Sequence, residues 1–146
     1  MFKKSLIFSL IAILTVIFLY SSSSFGQTMP KMTVSLSKKS YKPGDKGVIT
    51  IKIKPGEGVH IPKDPLIEVT LTGEGVEGTG LQDYSGAPGG DYFDNPVIKY
   101  NFTVSGSAES GTTIAAKVKV KFGYCSTDSG VCKIGTKTSN IKIKVK

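Results

Sequence analysis

Arginine and tryptophan are absent from this chain, histidine occurs once and cysteine twice among 146 residues. Each shortage removes a class of function. Without arginine there is no planar fork to read bases or clasp phosphates bidentately. The 19 basic residues are all lysine, and they alternate with apolar residues along strands, as in Lys117, Lys119, Lys121 and again Lys142, Lys144, Lys146. That is how a solvated sheet face reads, so no nucleic-acid binding is expected. One histidine, His60, and no G-x-S-x-G elbow leave a conventional hydrolase without its parts. No sustained 3.6-residue period occurs, which excludes a helical bundle. No long apolar run follows residue 20, so no membrane span is expected once the N-terminal segment is removed.

That N-terminal segment, residues 1–26, reads as a cleaved signal peptide. Lys3 and Lys4 form a positive start, an apolar run extends from Leu6 to Tyr20, and Ser24-Phe-Gly26 places small residues where a signal peptidase reads. The apolar run of about 15 residues is shorter than the ~20 of a spanning helix. No cysteine follows it, so a lipid-modified N-terminus is not expected. The mature protein would start near Gln27 and be periplasmic or secreted, where disulfides persist. Residues 27–146 then form one domain carrying 17 lysines against 11 acidic residues, about +6.

Short alternating segments dominate this domain. Met32, Val34 and Leu36 mark a first strand, and Tyr41-Lys-Pro-Gly-Asp45 a turn. Ile49, Ile51 and Ile53 mark a second strand, broken by Pro55-Gly-Glu-Gly58. A short Val59-His-Ile61 segment precedes a corner bracketed by Pro62 and Pro65, then Ile67, Val69 and Leu71 alternate. From Gly73 to Asn95 no period is visible, and the sequence predicts a long irregular stretch whose aromatics fold back on the domain. Ile98, Tyr100, Phe102 and Val104, then Ile114, Ala116, Val118, Val120 and Phe122, and finally Ile141, Ile143 and Val145 supply the remaining strand faces. The expected fold is all-β: an immunoglobulin-like antiparallel β-sandwich of about seven to eight strands.

The two cysteines sit at Cys125 and Cys132, on opposite arms of a hairpin whose Thr127-Asp-Ser-Gly130 suits a type I turn with Gly130 left-handed. A disulfide here closes a loop of about eight residues and is worth ~2.5 kcal/mol in the chain-entropy model. On spacing alone a structural staple and a redox site stand level. Continuing the inward positions by twos points Tyr124 inward and Cys125 to the lysine side, reachable from outside unless Gly123 hosts a bulge. Lys133, next to Cys132, favours a thiolate. His60 with the two cysteines offers three possible metal ligands, but in no common zinc spacing. His60 by itself reads as a partly buried structural residue.

From about Val48 to Lys146 the chain resembles the N-terminal periplasmic domain of the thiol:disulfide interchange protein DsbD. The resemblance rests on Ala115-Ala-Lys-Val-Lys-Val-Lys-Phe-Gly-Tyr-Cys125 through Gly130-Val-Cys132, with support from Gly58-Val-His-Ile61 and Asp91-Tyr-Phe-Asp-Asn-Pro-Val97. It implies an immunoglobulin-like domain relaying electrons through the cysteine pair, with no cofactor. Cys132 would form the mixed disulfide and Cys125 resolve it. A cap loop over the pair would be Asp83, Tyr84, Ser85 and Gly86, with Tyr84 the shielding aromatic and Tyr124, His60 and Lys133 in support. Partners would be thioredoxin-like or membrane electron-carrier proteins and other periplasmic disulfide proteins. Lys133-Ile-Gly135 departs from the aromatic-Pro-Pro that follows the second cysteine in that family. Neither an electron carrier nor a thioredoxin-like domain follows, so the electrons would have to come from another protein.

Overall fold

Period-two alternation of Ile, Val and Phe dictates the architecture, because each strand can bury one face only by meeting another sheet. The computed structural model describes residues 28–85 and 90–146, apart from the side chains of residues 81–83 and 85. The expected signal peptide and Gly86 lie outside the described residues.

Nine strand segments form two antiparallel sheets, and no helix occurs among the described residues. In chain order they are β1 (Lys31–Leu36), β2 (Lys46–Lys54), β3 (Val59–Pro62), β4 (Glu68–Thr72), β5 (Val76–Ser85), β6 (Tyr92–Phe93), β7 (Val97–Val104), β8 (Thr113–Ser126) and β9 (Cys132–Lys144). The first sheet runs β1-β2-β7-β5. The second centres on β8, with β9 on one side, β3 and β4 along the other, and β6 outside β3. Taken in order, this is the four-plus-three arrangement of an immunoglobulin constant-type sandwich, with its third strand broken in two at the Pro62–Pro65 corner. The expected fold class therefore holds. The count rises to nine because the broken strand supplies both β3 and β4 and because β6 is a two-residue segment.

The core lies between the sheets. Ile49, Ile51 and Ile53 of β2 and Ile98, Tyr100, Phe102 and Val104 of β7 are buried on one side. Ala116, Val118, Val120 and Phe122 of β8 close it from the other, with Ile143 and Val145 from the chain end. Tyr41, outside any long strand, is fully buried: its ring meets Phe102 edge-on at 5.2 Å, and its backbone ties to the last strand through Tyr41 N to Lys144 O (2.9 Å) and Lys146 N to Tyr41 O (2.8 Å).

The stretch from Gly73 to Asn95 departs from expectation. Residues 76–85 form a ten-residue strand paired with β7, and Tyr92–Phe93 pairs with β3. The alternation was invisible because the β5–β7 register slips twice, between Gly78 and Gly80 and between Leu81 and Asp83. Each slip adds a residue to β5 without a partner in β7, so period two never accumulates over enough residues to be read.

Candidate functional site

The β8–β9 hairpin positions the cysteines. Its register is unbroken over thirteen pairs, from Thr113 opposite Lys144 to Cys125 opposite Cys132. No bulge forms at Gly123. At the tip Ser126 N donates to Val131 O (2.9 Å), Gly130 N donates to Ser126 O (3.0 Å), and Gly130 takes the left-handed φ of 67° that the turn requires. Since Ser126 and Val131 are hydrogen-bonded, Cys125 and Cys132 occupy the next, non-hydrogen-bonded site, where opposing Cα atoms come closest. Their Cα atoms are 4.0 Å apart and the sulfurs are joined in a disulfide.

The two sulfur-bearing residues sit in different surroundings. Cys132 is exposed, whereas Cys125 is only 4% exposed. Cys125 takes the face that side-chain parity predicts but is buried there, where access was expected. Cys125 stands on the outer face with Gly123 and the lysines, on the central strand of three. The corner after β3 folds over that face: a Cβ added at Gly123 would lie 3.0 Å from Pro62 Cγ and 3.4 Å from Pro65 Cδ. Cys125 thus keeps little exposed surface, and Gly123 is the residue that lets the corner settle so close.

What remains open is a cleft of about 390 Å³ beside the disulfide, lined by Pro62, Pro65, Tyr92, Gly123, both cysteines and Ile134. Lys63, Asp64, Asp91 and Lys133 also line it, so mixed charge surrounds an apolar floor. On its walls Tyr92 and Ile134 remain about half exposed, at 47% and 56%, and Val131, next to Cys132, is 52% exposed. Large apolar groups gathered at one place on a surface mark a place of contact more often than scattered ones do.

His60 is the strand partner of Cys125 across β3 and β8. It is exposed, correcting the expectation of a partly buried histidine; the neighbouring Val59 and Ile61 take the inward positions of β3. Its ring lies 4.9 Å from that of Tyr92, tilted by 35°. Tyr124 points inward as expected, 6.3 Å from Phe122, and Gly135 opposite the hairpin leaves its ring the space: a Cβ there would lie 3.0 Å from Tyr124 Cε1. Lys133 is exposed and stands opposite Tyr124 in the ladder. Among the described residues no three His, Cys, Asp or Glu side chains gather in a group that could hold a metal ion.

Tyr84 has other company. Its ring stacks on Phe93 at 5.7 Å and 15°, and its hydroxyl donates to Ile67 O at 2.8 Å. It does not line the cleft; the aromatic on that wall is Tyr92. Asp83 and Ser85 lie in β5, paired with Lys99 and Val97. Burial raises the Tyr84 phenol above its usual value. A raised folded value means a contribution to stability that is present below about pH 10 and fades as pH climbs through the folded value. Tyr84→Phe is accordingly expected to lower stability by about 1 kcal/mol at pH 7 through the lost hydrogen bond. The gap between the two proteins should narrow above pH 10, which urea unfolding at both pH values checks.

Sequence reasoning missed Tyr92, which a two-residue strand places against His60. The nearest sequence signal was the aromatic pair Tyr92-Phe93 within a stretch rich in Gly and Asp.

No family model and no curated protein matches the chain. Among solved structures it is similar to the crystal structure of a yeast GGA1 GAE domain–P21, at 17% identity, covering 80% of this chain and 95% of that one, with a TM-score of 0.48. Among the described residues no helix is long and apolar enough to cross a membrane.

Proposed function

We propose that this domain is exported and exchanges thiols and disulfides with partner proteins through Cys125 and Cys132. The observation that carries the reading is the asymmetry of the pair: one cysteine faces solvent beside an apolar cleft while its bonded neighbour is enclosed. A staple needs no such division, whereas mixed-disulfide chemistry needs one sulfur a partner can reach and one it cannot. Cys132 is the sulfur that joins the partner, and Cys125 resolves the intermediate. Tyr92, on the cleft wall, takes the shielding role that the DsbD resemblance gives to Tyr84. Thioredoxin-like proteins, membrane electron carriers and other periplasmic disulfide proteins are the partner classes this chemistry fits, and no cofactor is required because the electrons reside on the sulfurs.

The hairpin itself argues against a purely mechanical role. A bond at the end of thirteen continuous ladder pairs closes a short loop that the ladder already closes. Equilibration of the protein against glutathione mixtures, followed by trapping of free thiols, should give a reduction potential above about −300 mV. A value well below that describes a structural bond and removes the exchange reading.

A further inference from the structure

Resting on the exchange reading, we infer that His60 is the proton-transfer residue for Cys125. An enclosed thiol is a poor nucleophile, because burial in apolar surroundings disfavours the thiolate and the thiolate is the species that attacks. Something must take the proton of Cys125 when it resolves a mixed disulfide. His60 is directly opposite Cys125 in the β3–β8 ladder, so both side chains leave the same face of the sheet with Cβ atoms about 5 Å apart. Side chains so placed are direct cross-strand neighbours, the relation in which an imidazole can exchange a proton with a thiol.

The surroundings select the imidazole for the task. Around the pair stand Lys63, Asp64 and Asp91 on the cleft wall and Lys133 on β9, with Asp128 from the hairpin turn near Gly58. Carboxylates and ammonium groups as classes hold a fixed charge around neutrality, and phenols as a class stay neutral there, whereas imidazole is the side chain that both takes and gives a proton between pH 5 and 8. His60 is the single histidine of the chain. Tyr92 packs on its ring and restricts where that ring can turn.

The step balances. The Cys132 thiolate attacks one sulfur of a partner's disulfide, the partner's sulfur–sulfur bond breaks, and its first thiolate leaves and takes a proton from water. Cys125 then passes its proton to His60 as its sulfur attacks Cys132 Sγ. The Cys132–partner bond breaks, and the second partner thiolate leaves and is protonated from the imidazolium. Two electrons move from the cysteine pair to the partner's disulfide. In the reverse direction His60 protonates Cys125 as it is displaced.

The test uses the reduced protein and the dye disulfide dithiobis(nitrobenzoate), whose coloured thiolate is released once when Cys132 is captured and again when Cys125 resolves the adduct. His60→Gln, at an exposed position, should leave the first release unchanged and slow the second by about 100-fold at pH 7. It should also remove the inflection of the second rate between pH 5 and 8. In His60→Ala, added imidazole should restore part of the second rate. A second release unchanged in rate and pH profile overturns the role, as does equal slowing of both releases with the profile retained. Wild-type protein that releases only one equivalent overturns the exchange reading itself, and this role falls with it.

Discussion

Cys132→Ser is expected to bring reduction of a partner disulfide down to the rate of buffer alone, while Cys125→Ser accumulates a covalent adduct with the partner. The two outcomes differ because the two positions differ. Serine at 132 removes the exposed sulfur, and the remaining thiol at 125 is buried on the central strand, with almost no surface to offer a folded partner. Serine at 125 leaves the exposed nucleophile intact and removes the group that would release it, so the intermediate has no exit. Non-reducing gels resolve the adduct, and mass spectrometry of its peptides places the linkage. If Cys132→Ser reduces partners as fast as wild type, the assignment of the two sulfurs is reversed; if neither variant differs from wild type, the pair takes no part in exchange.

Phe102→Ala is expected to cost about 3–5 kcal/mol, a large part of the 5–15 kcal/mol by which domains of this size are stable. The ring has no exposed surface. It meets Tyr41 edge-on and fills the space above Gly47 so fully that no Cβ fits there without displacing it. Truncation thus leaves a cavity that neither neighbour can fill: Gly47 has no side chain, and Tyr41 is held by its backbone bonds to the final strand. Urea unfolding should show a lower midpoint with an unchanged slope. A loss below about 1 kcal/mol would mean that the core collapses around the gap far more freely than its packing implies.

Much of the scaffold was legible in the sequence because period two is a local signal. Ile49, Ile51 and Ile53, the β7 face from Ile98 to Val104, and the β8 face from Ile114 to Phe122 could be read residue by residue, and their inward positions are the core. Strand β5 was illegible for the opposite reason, since its two register slips break the period within ten residues. Tyr41 read as part of a turn, and nothing near it in sequence announces that the chain end returns to pair beside it.

At the site, the cysteine pairing and the inward turn of Tyr124 followed from hairpin geometry. The burial of Cys125 did not. Cys125 sits on a central strand flanked by β3 and β9, with a proline corner from far earlier in the chain packed on neighbouring Gly123, tertiary contacts with no periodicity of their own. His60 opposite Cys125, and Tyr92 on His60, are likewise products of strand pairing between distant segments. The aromatic named through the DsbD resemblance, Tyr84, stacks on Phe93, while the aromatic lining the cleft is Tyr92, which takes the outward position of its strand.

The thirteen-pair ladder beneath the cysteines has a consequence for how a redox state is communicated. The thirteen backbone pairs do not depend on the sulfur–sulfur bond, so when it opens the hairpin arms stay in register and the two thiols are left facing each other. The bond acts as a contact at the end of a two-pronged fork, and opening it frees the sulfur of the exposed tip. If the pair exchanges as proposed, its oxidation state would be read within a few ångströms of Cys132, by a protein seated in the cleft.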